Sequence, residues 1–118
     1  MSGEDELPNL AVPVHTTDPV VLWLVRLRLK ARPRYLTILE AFLDYSGHRV
    51  DSLVEAARLD RHTMHETVKS FIASRLDSRA EREFAYSALR SFFTRCRVFL
   101  PTDPDYDVGG RSERWWLT

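Results

Sequence analysis

Residues 78–101, SRAEREFAYSALRSFFTRCRVFLP, decide how the chain folds. Phe84, Ala88 and Phe92 lie on one i, i+4 row and Ala85, Leu89 and Phe93 on the next, so the two rows form one apolar helical stripe. Ser78 followed three residues later by Glu81 has the form of a capping box, which places the helix start at Ser78 and contributes about 1 kcal/mol. The opposite face carries Arg79, Arg82, Tyr86 and Arg90 at steps of three and four, and Arg95 and Arg97 follow. Guanidinium groups suit phosphate forks and guanine edges. An ordinary solvated face, diluted by Glu81 and Glu83, is the alternative.

Upstream, four further helices are expected. Asp18 before Pro19 is a helix-start pattern, with Asp as N-cap and Pro at the first helical position. Val25 to Lys30 alternates apolar and basic residues as a strand would, but the Asp18-Pro19 start and Trp23 favour a short helix. Pro33 opens a second helix with Tyr35, Ile38, Leu39, Phe42 and Tyr45 as its stripe, and Gly47 ends it. Asp51 is the expected cap of a third, bearing Leu53, Val54 and Ala57. Thr63, with Glu66 three residues on, is the expected cap of a fourth bearing Met64, Val68, Phe71, Ile72 and Leu76. Five stripes need one shared core, so the fold expected is all-α, a compact bundle of four to five helices over residues 18–101. Residues 1–17, acidic and proline-bearing, read as a disordered lead-in, and 102–118, polar and turn-rich, as a linker.

With 118 residues the chain is one domain by length. Its single Cys96 excludes an internal disulfide and a cysteine-built zinc site, so a reducing cytoplasm is the default. Val20 to Val25 is far too short to span a membrane, and Glu4, Asp5 and Glu6 stand where a signal peptide would be basic. Seventeen basic and seventeen acidic residues cancel, which argues against DNA binding by bulk charge. The distribution is less even: Arg26, Arg28, Lys30, Arg32 and Arg34 occur without an intervening acid, and any nucleic-acid surface should include them.

Nothing supports catalysis, a cofactor, a metal or a small-molecule substrate. His62 and His65 are three apart, but HTMHE is not HExxH, and both read as solvated surface histidines. Asp103, Asp105 and Asp107 resemble a calcium loop only in part, because Val108 stands where glycine is needed and Arg114 where a bidentate Glu is needed. Residues 52–76 also fit a helix-turn-helix, with Leu59 to His62 as the turn and Thr63 onward as the recognition helix.

Taken from residue 18 to 118, the chain resembles the N-terminal core-binding, or SAM-like, domain of the tyrosine recombinase (phage integrase) family. Three short motifs carry the resemblance: YLTILEAFLDYSG at 35–47, SALRSFF at 87–93 and VFLPTDP at 98–104. Leu117-Thr118 is similar to the pair that often opens the family's catalytic domain. The resemblance implies one half of a clamp around double-stranded DNA, with a catalytic domain opposite and other recombinase subunits as further partners. The family's catalytic residues would lie outside this chain, so Tyr35, Tyr45, Tyr86 and Tyr106 are not its nucleophile. Arg28, Lys30, Arg32 and Arg34 are expected on the DNA backbone, and Arg79, Arg82, Tyr86 and Arg90 on the groove. A helix-turn-helix regulator is the alternative, as is a helical protein-interaction module that binds no DNA, which zero net charge and Trp115-Trp116 favour.

Overall fold

Local chemistry sets the helix ends. In the computed structural model, which describes residues 18–103, the Asp18 carboxylate accepts from the Val20 amide at 2.9 Å and Pro19 opens α1, Pro19–Leu24. The alternating segment after it is neither strand nor continued helix. It is a turn followed by one 3-10 turn, Leu29–Ala31, because Arg32 folds back and donates to the carbonyls of Leu27 (3.1 Å) and Val25 (3.3 Å). Helix α2, Arg32–Ser46, stops at Gly47, whose φ of 77° lies in the left-handed region that glycine adopts without steric cost.

Two expected caps move by a few residues. Helix α3, Val50–Leu59, is capped by Arg49, whose amide donates to Ser52 Oγ, and Asp51 sits in its first turn. Helix α4, Arg61–Arg75, is capped by Asp60, which accepts from both the amide and the hydroxyl of Thr63. Those bonds hold the Asp60 carboxyl below its ordinary pKa. Thr63 therefore donates to the cap and is not the cap. Helix α5, Arg79–Arg95, begins as expected, with Ser78 Oγ accepting from the Glu81 amide at 3.0 Å.

The described residues form an all-α bundle of five helices with no strand. Helix α5 packs against α1, α2 and α4, and α4 also packs against α2 and α3. The five consecutive residues Ala85 to Leu89 are all buried. Five residues exceed one helical turn, so neighbours enclose α5 on every side at that level. It is the central helix rather than a one-sided one. Helix α1, too short to hold by itself, is fastened to it by Trp23, whose indole donates to Ser91 Oγ at 3.0 Å and meets Phe92 edge-to-face with centroids 5.2 Å apart. A second aromatic contact, Phe42 on Phe71 at 5.4 Å, joins α2 to α4. No described helix is long and apolar enough to cross a membrane.

Beyond α5 the chain turns back over the bundle. The amides of Arg97 and Val98 donate to the carbonyls of Thr94 and Phe93, the paired bonds of a Schellman turn. Arg97 takes the left-handed position at φ 66°, where glycine is usual. Val98, Leu100 and Asp103 are then buried while Arg97, Phe99 and Thr102 are exposed. Replacing Arg97 by glycine removes the clash of its Cβ with the backbone. Arg97→Gly is expected to stabilise the fold by about 0.5–1 kcal/mol after allowing for the freer unfolded chain, read as a melting temperature raised by several degrees. A lower melting temperature would show the left-handed turn to be unstrained.

Candidate nucleic-acid interface

One group of exposed basic residues lies on the corner between α1 and α2. Arg26, Arg28 and Lys30 are exposed on the connection, and Arg34 is exposed on the first turn of α2. No acid occurs in the sequence between Asp18 and Glu40. The Arg34 guanidinium lies 3.8 Å from the centroid of the Phe84 ring, and Phe84 stands edge-on to Tyr35. Stacking fixes the guanidinium in place on one face and leaves its edge open. Burial pushes the Tyr35 hydroxyl up to about 12, so it stays a neutral part of this support.

The fifth expected corner residue, Arg32, has another task. Its two bonds to the carbonyls of Val25 and Leu27 shape the connection from within, and it also lines a recess there. Beside it, Val21, Leu24, Val25, Leu29 and Leu36 line an apolar recess of about 250 Å3. Leu29 is 53% exposed at its edge.

The returning segment covers part of the expected groove face of α5. Tyr86 is 2% exposed, and its hydroxyl lies 3.1 Å from His65 Nε2 and 3.4 Å from the Pro101 carbonyl. With the proton on Nε2, His65 donates to the Tyr86 oxygen, and the Tyr86 O–H donates to Pro101. Arg90 donates to the carbonyls of Leu100 (3.0 Å) and Pro101 (2.7 Å). Arg82 donates to the Leu76 carbonyl at 2.9 Å, closing the end of α4. Arg79 alone of the four is exposed, and it is paired with Glu83 at 2.8 Å. Arg82, Tyr86 and Arg90 clamp backbone segments to α5. Tyr86 is buried and Arg82 and Arg90 are half-buried with bonds to carbonyls, so Arg79 is the most open of the four.

The histidine pair also divides. His62 is exposed, but His65 is buried between α4 and α5. Burial is the main cause that pulls its pKa below the ordinary 6.5; Lys69 and Arg90 add to it, and Asp103 and Glu66 oppose it. Asp103 is itself 7% exposed and paired with Lys69 at 2.8 Å, which pins the returning segment to α4. Asp105 and Asp107 lie outside the described residues, as do Tyr106, Trp115, Trp116, Leu117 and Thr118. Among the described residues no three His, Cys, Asp or Glu side chains are grouped to hold a metal.

The His65 shift has a consequence for stability. Above pH 6.5 neither folded nor unfolded chains carry the proton; below it the unfolded chain takes one up and the folded chain does not, so stability falls as pH drops. Melting temperatures are expected to decline from about pH 7 to about pH 5.5, and less steeply in His65→Gln. Equal slopes in the two proteins would assign the proton uptake elsewhere.

No family model, curated protein or solved structure matches the chain. Its site is therefore defined by its own residues. Arg26, Arg28, Lys30 and Arg34 of the expected basic run are exposed on one corner; Arg26 belongs to that run but is not among the residues expected on the DNA backbone. Two further features bear on the alternatives. Asp60 both ends α3 and caps α4, so the connection is shorter than the three- or four-residue turn of a helix-turn-helix. The apolar recess beside Leu29 suits a protein partner.

Proposed function

We propose that this domain binds duplex DNA as the core-binding part of a site-specific tyrosine recombinase, positioning the duplex for a catalytic domain outside this chain. The observation that carries DNA binding is the corner, an acid-free run in sequence, where Arg26, Arg28, Lys30 and Arg34 are all exposed. Phosphates attract such groups irrespective of sequence and release counterions on contact. Zero net charge is compatible with this, because screening confines attraction to groups within about 10 Å of the phosphates. The recombinase part rests on three short motifs, all of which contribute to the core: Tyr35, Leu39 and Phe42 from the first, Ala88, Leu89, Phe92 and Phe93 from the second, and Val98 and Leu100 from the third.

Fluorescence anisotropy of a labelled duplex at several salt concentrations tests the reading. Four phosphate contacts give log Kobs against log salt a slope of about −3.6. A flat signal at low salt would overturn it. The apolar recess beside Leu29 favours a second reading, a protein-interaction module. In that case the domain self-associates in light scattering or captures a helical partner, and Leu29→Ser abolishes the association while DNA leaves the anisotropy unchanged.

A further inference from the structure

A second group of arginines surrounds the C-terminal end of α5. Arg58 of α3 and Arg95 and Arg97 line one recess of about 490 Å3, with Leu22 and Val54 as apolar wall and Asp51 as its acid. Three arginines and one acid thus line the recess. Arg58 donates through Nη2 to the Cys96 carbonyl at 3.0 Å, which holds its head at the recess and leaves further N–H groups to donate. Arg95 and Arg97 form no ion pair and no side-chain hydrogen bond among the described residues. Arg58 and Arg95 both reach the neighbourhood of Cys96: burial raises its thiol pKa, and these two cations oppose the rise.

The end of α5 accounts for part of this cluster, Arg95 in its last turn and Arg58 on the Cys96 carbonyl, but not for Arg97. Basic residues are favoured in the last turn of a helix because its final carbonyls are unpaired. Here the amides of Cys96, Arg97 and Val98 already occupy the carbonyls of Phe92, Phe93 and Thr94. Arg58 comes from another helix, and Arg97 stands past the end of α5 in a backbone conformation that disfavours any side chain. An arginine at such a position points to a task that the guanidinium performs.

We propose that this recess is a phosphate seat that takes a backbone phosphate of the bound duplex. Arginine forks match phosphate oxygens in geometry and charge, and three from separate backbone positions can surround one group. Helix α1 links the seat to the basic corner, since Leu22 lines the recess and Arg26 follows four residues later. That the occupant is a phosphate of the duplex, and the course of the duplex over α1, rest on the DNA-binding reading; the affinity of the recess for a phosphate group does not.

Two measurements on the full chain separate them. In an NMR titration with inorganic pyrophosphate, shifts are expected at Arg58, Arg95 and Arg97, and their loss in Arg95→Gln with Arg97→Gly. The glycine relieves the left-handed strain, so this variant keeps its fold. In the anisotropy titration the same variant is expected to lower the salt slope by about 0.9, the contribution of one phosphate. Pyrophosphate shifts that are absent or unchanged in the variant, with an unchanged slope, overturn the seat while the DNA reading stands. Localised pyrophosphate shifts in a protein that binds no duplex support the seat and overturn the course of the DNA.

Discussion

Phe92→Ala is expected to cost about 3–5 kcal/mol, the largest loss of any single substitution argued for this domain. Phe92 is fully buried at the level where α1, α2 and α5 meet. Its ring stands edge-on to Trp23 at 5.2 Å and to Phe93 at 5.6 Å, so truncation opens a cavity and removes the aromatic contact that seats α1. Domains of this size commonly have only about 5–15 kcal/mol of total stability, so the variant is near its unfolding threshold. Urea denaturation should show a lower midpoint with an unchanged slope. Hydrogen exchange should show α1 losing protection first, because a six-residue helix has no stability apart from its docking. Phe99→Ala, at a position 57% exposed, provides the control and should change stability by less than about 0.5 kcal/mol. A loss under about 1 kcal/mol for Phe92→Ala would mean that the core closes around the deletion, and the central position of α5 would have to be abandoned.

The difference between these two phenylalanines shows which parts of the fold were legible in the sequence. Helix starts at Asp18, Pro33 and Ser78, and the stop at Gly47, depend on groups within four residues of one another, and local pattern reads them directly. The face of α5 does not depend on local pattern. Tyr86 and Arg90 keep helical spacing with Arg82, as a solvated face would, but what covers them is the segment from Val98 to Asp103 folding back. A signal for that segment existed: Cys96, Val98 and Leu100 alternate with Arg97 and Phe99, and alternation beyond a helix end marks an extended strip with one side against the core. The corner was legible because it is a continuous acid-free run. Within it Arg32 differed from its neighbours only by its position at the first residue of α2, where its side chain reaches back to two carbonyls. Arg58 carried no signal, since its proximity to Arg95 arises from packing between elements far apart in sequence.

Removing charge from the corner gives the largest expected effect on binding. The variant Arg26→Gln, Arg28→Gln, Lys30→Gln, Arg34→Gln deletes four cations that are exposed, so the fold should lose only the Arg34 stacking on Phe84, about 0.5–1 kcal/mol. Counterion release makes the binding consequence much larger. Each phosphate contact contributes about 0.9 to the salt slope, and four contacts contribute about 3.6. Affinity at moderate salt should fall by at least about a hundredfold, and the residual slope should be close to that of the arginines at the end of α5. Arg82→Gln with Arg90→Gln gives the opposite signature. These side chains hold the carbonyls of Leu76, Leu100 and Pro101, so the pair should lower the melting temperature and leave the salt slope of the folded protein unchanged. The two variants therefore separate charge that contacts DNA from charge that holds the fold. Loss of slope in the Arg82 and Arg90 variant, with an unaltered slope in the corner variant, would return the interface to α5 and overturn the assignment of the corner.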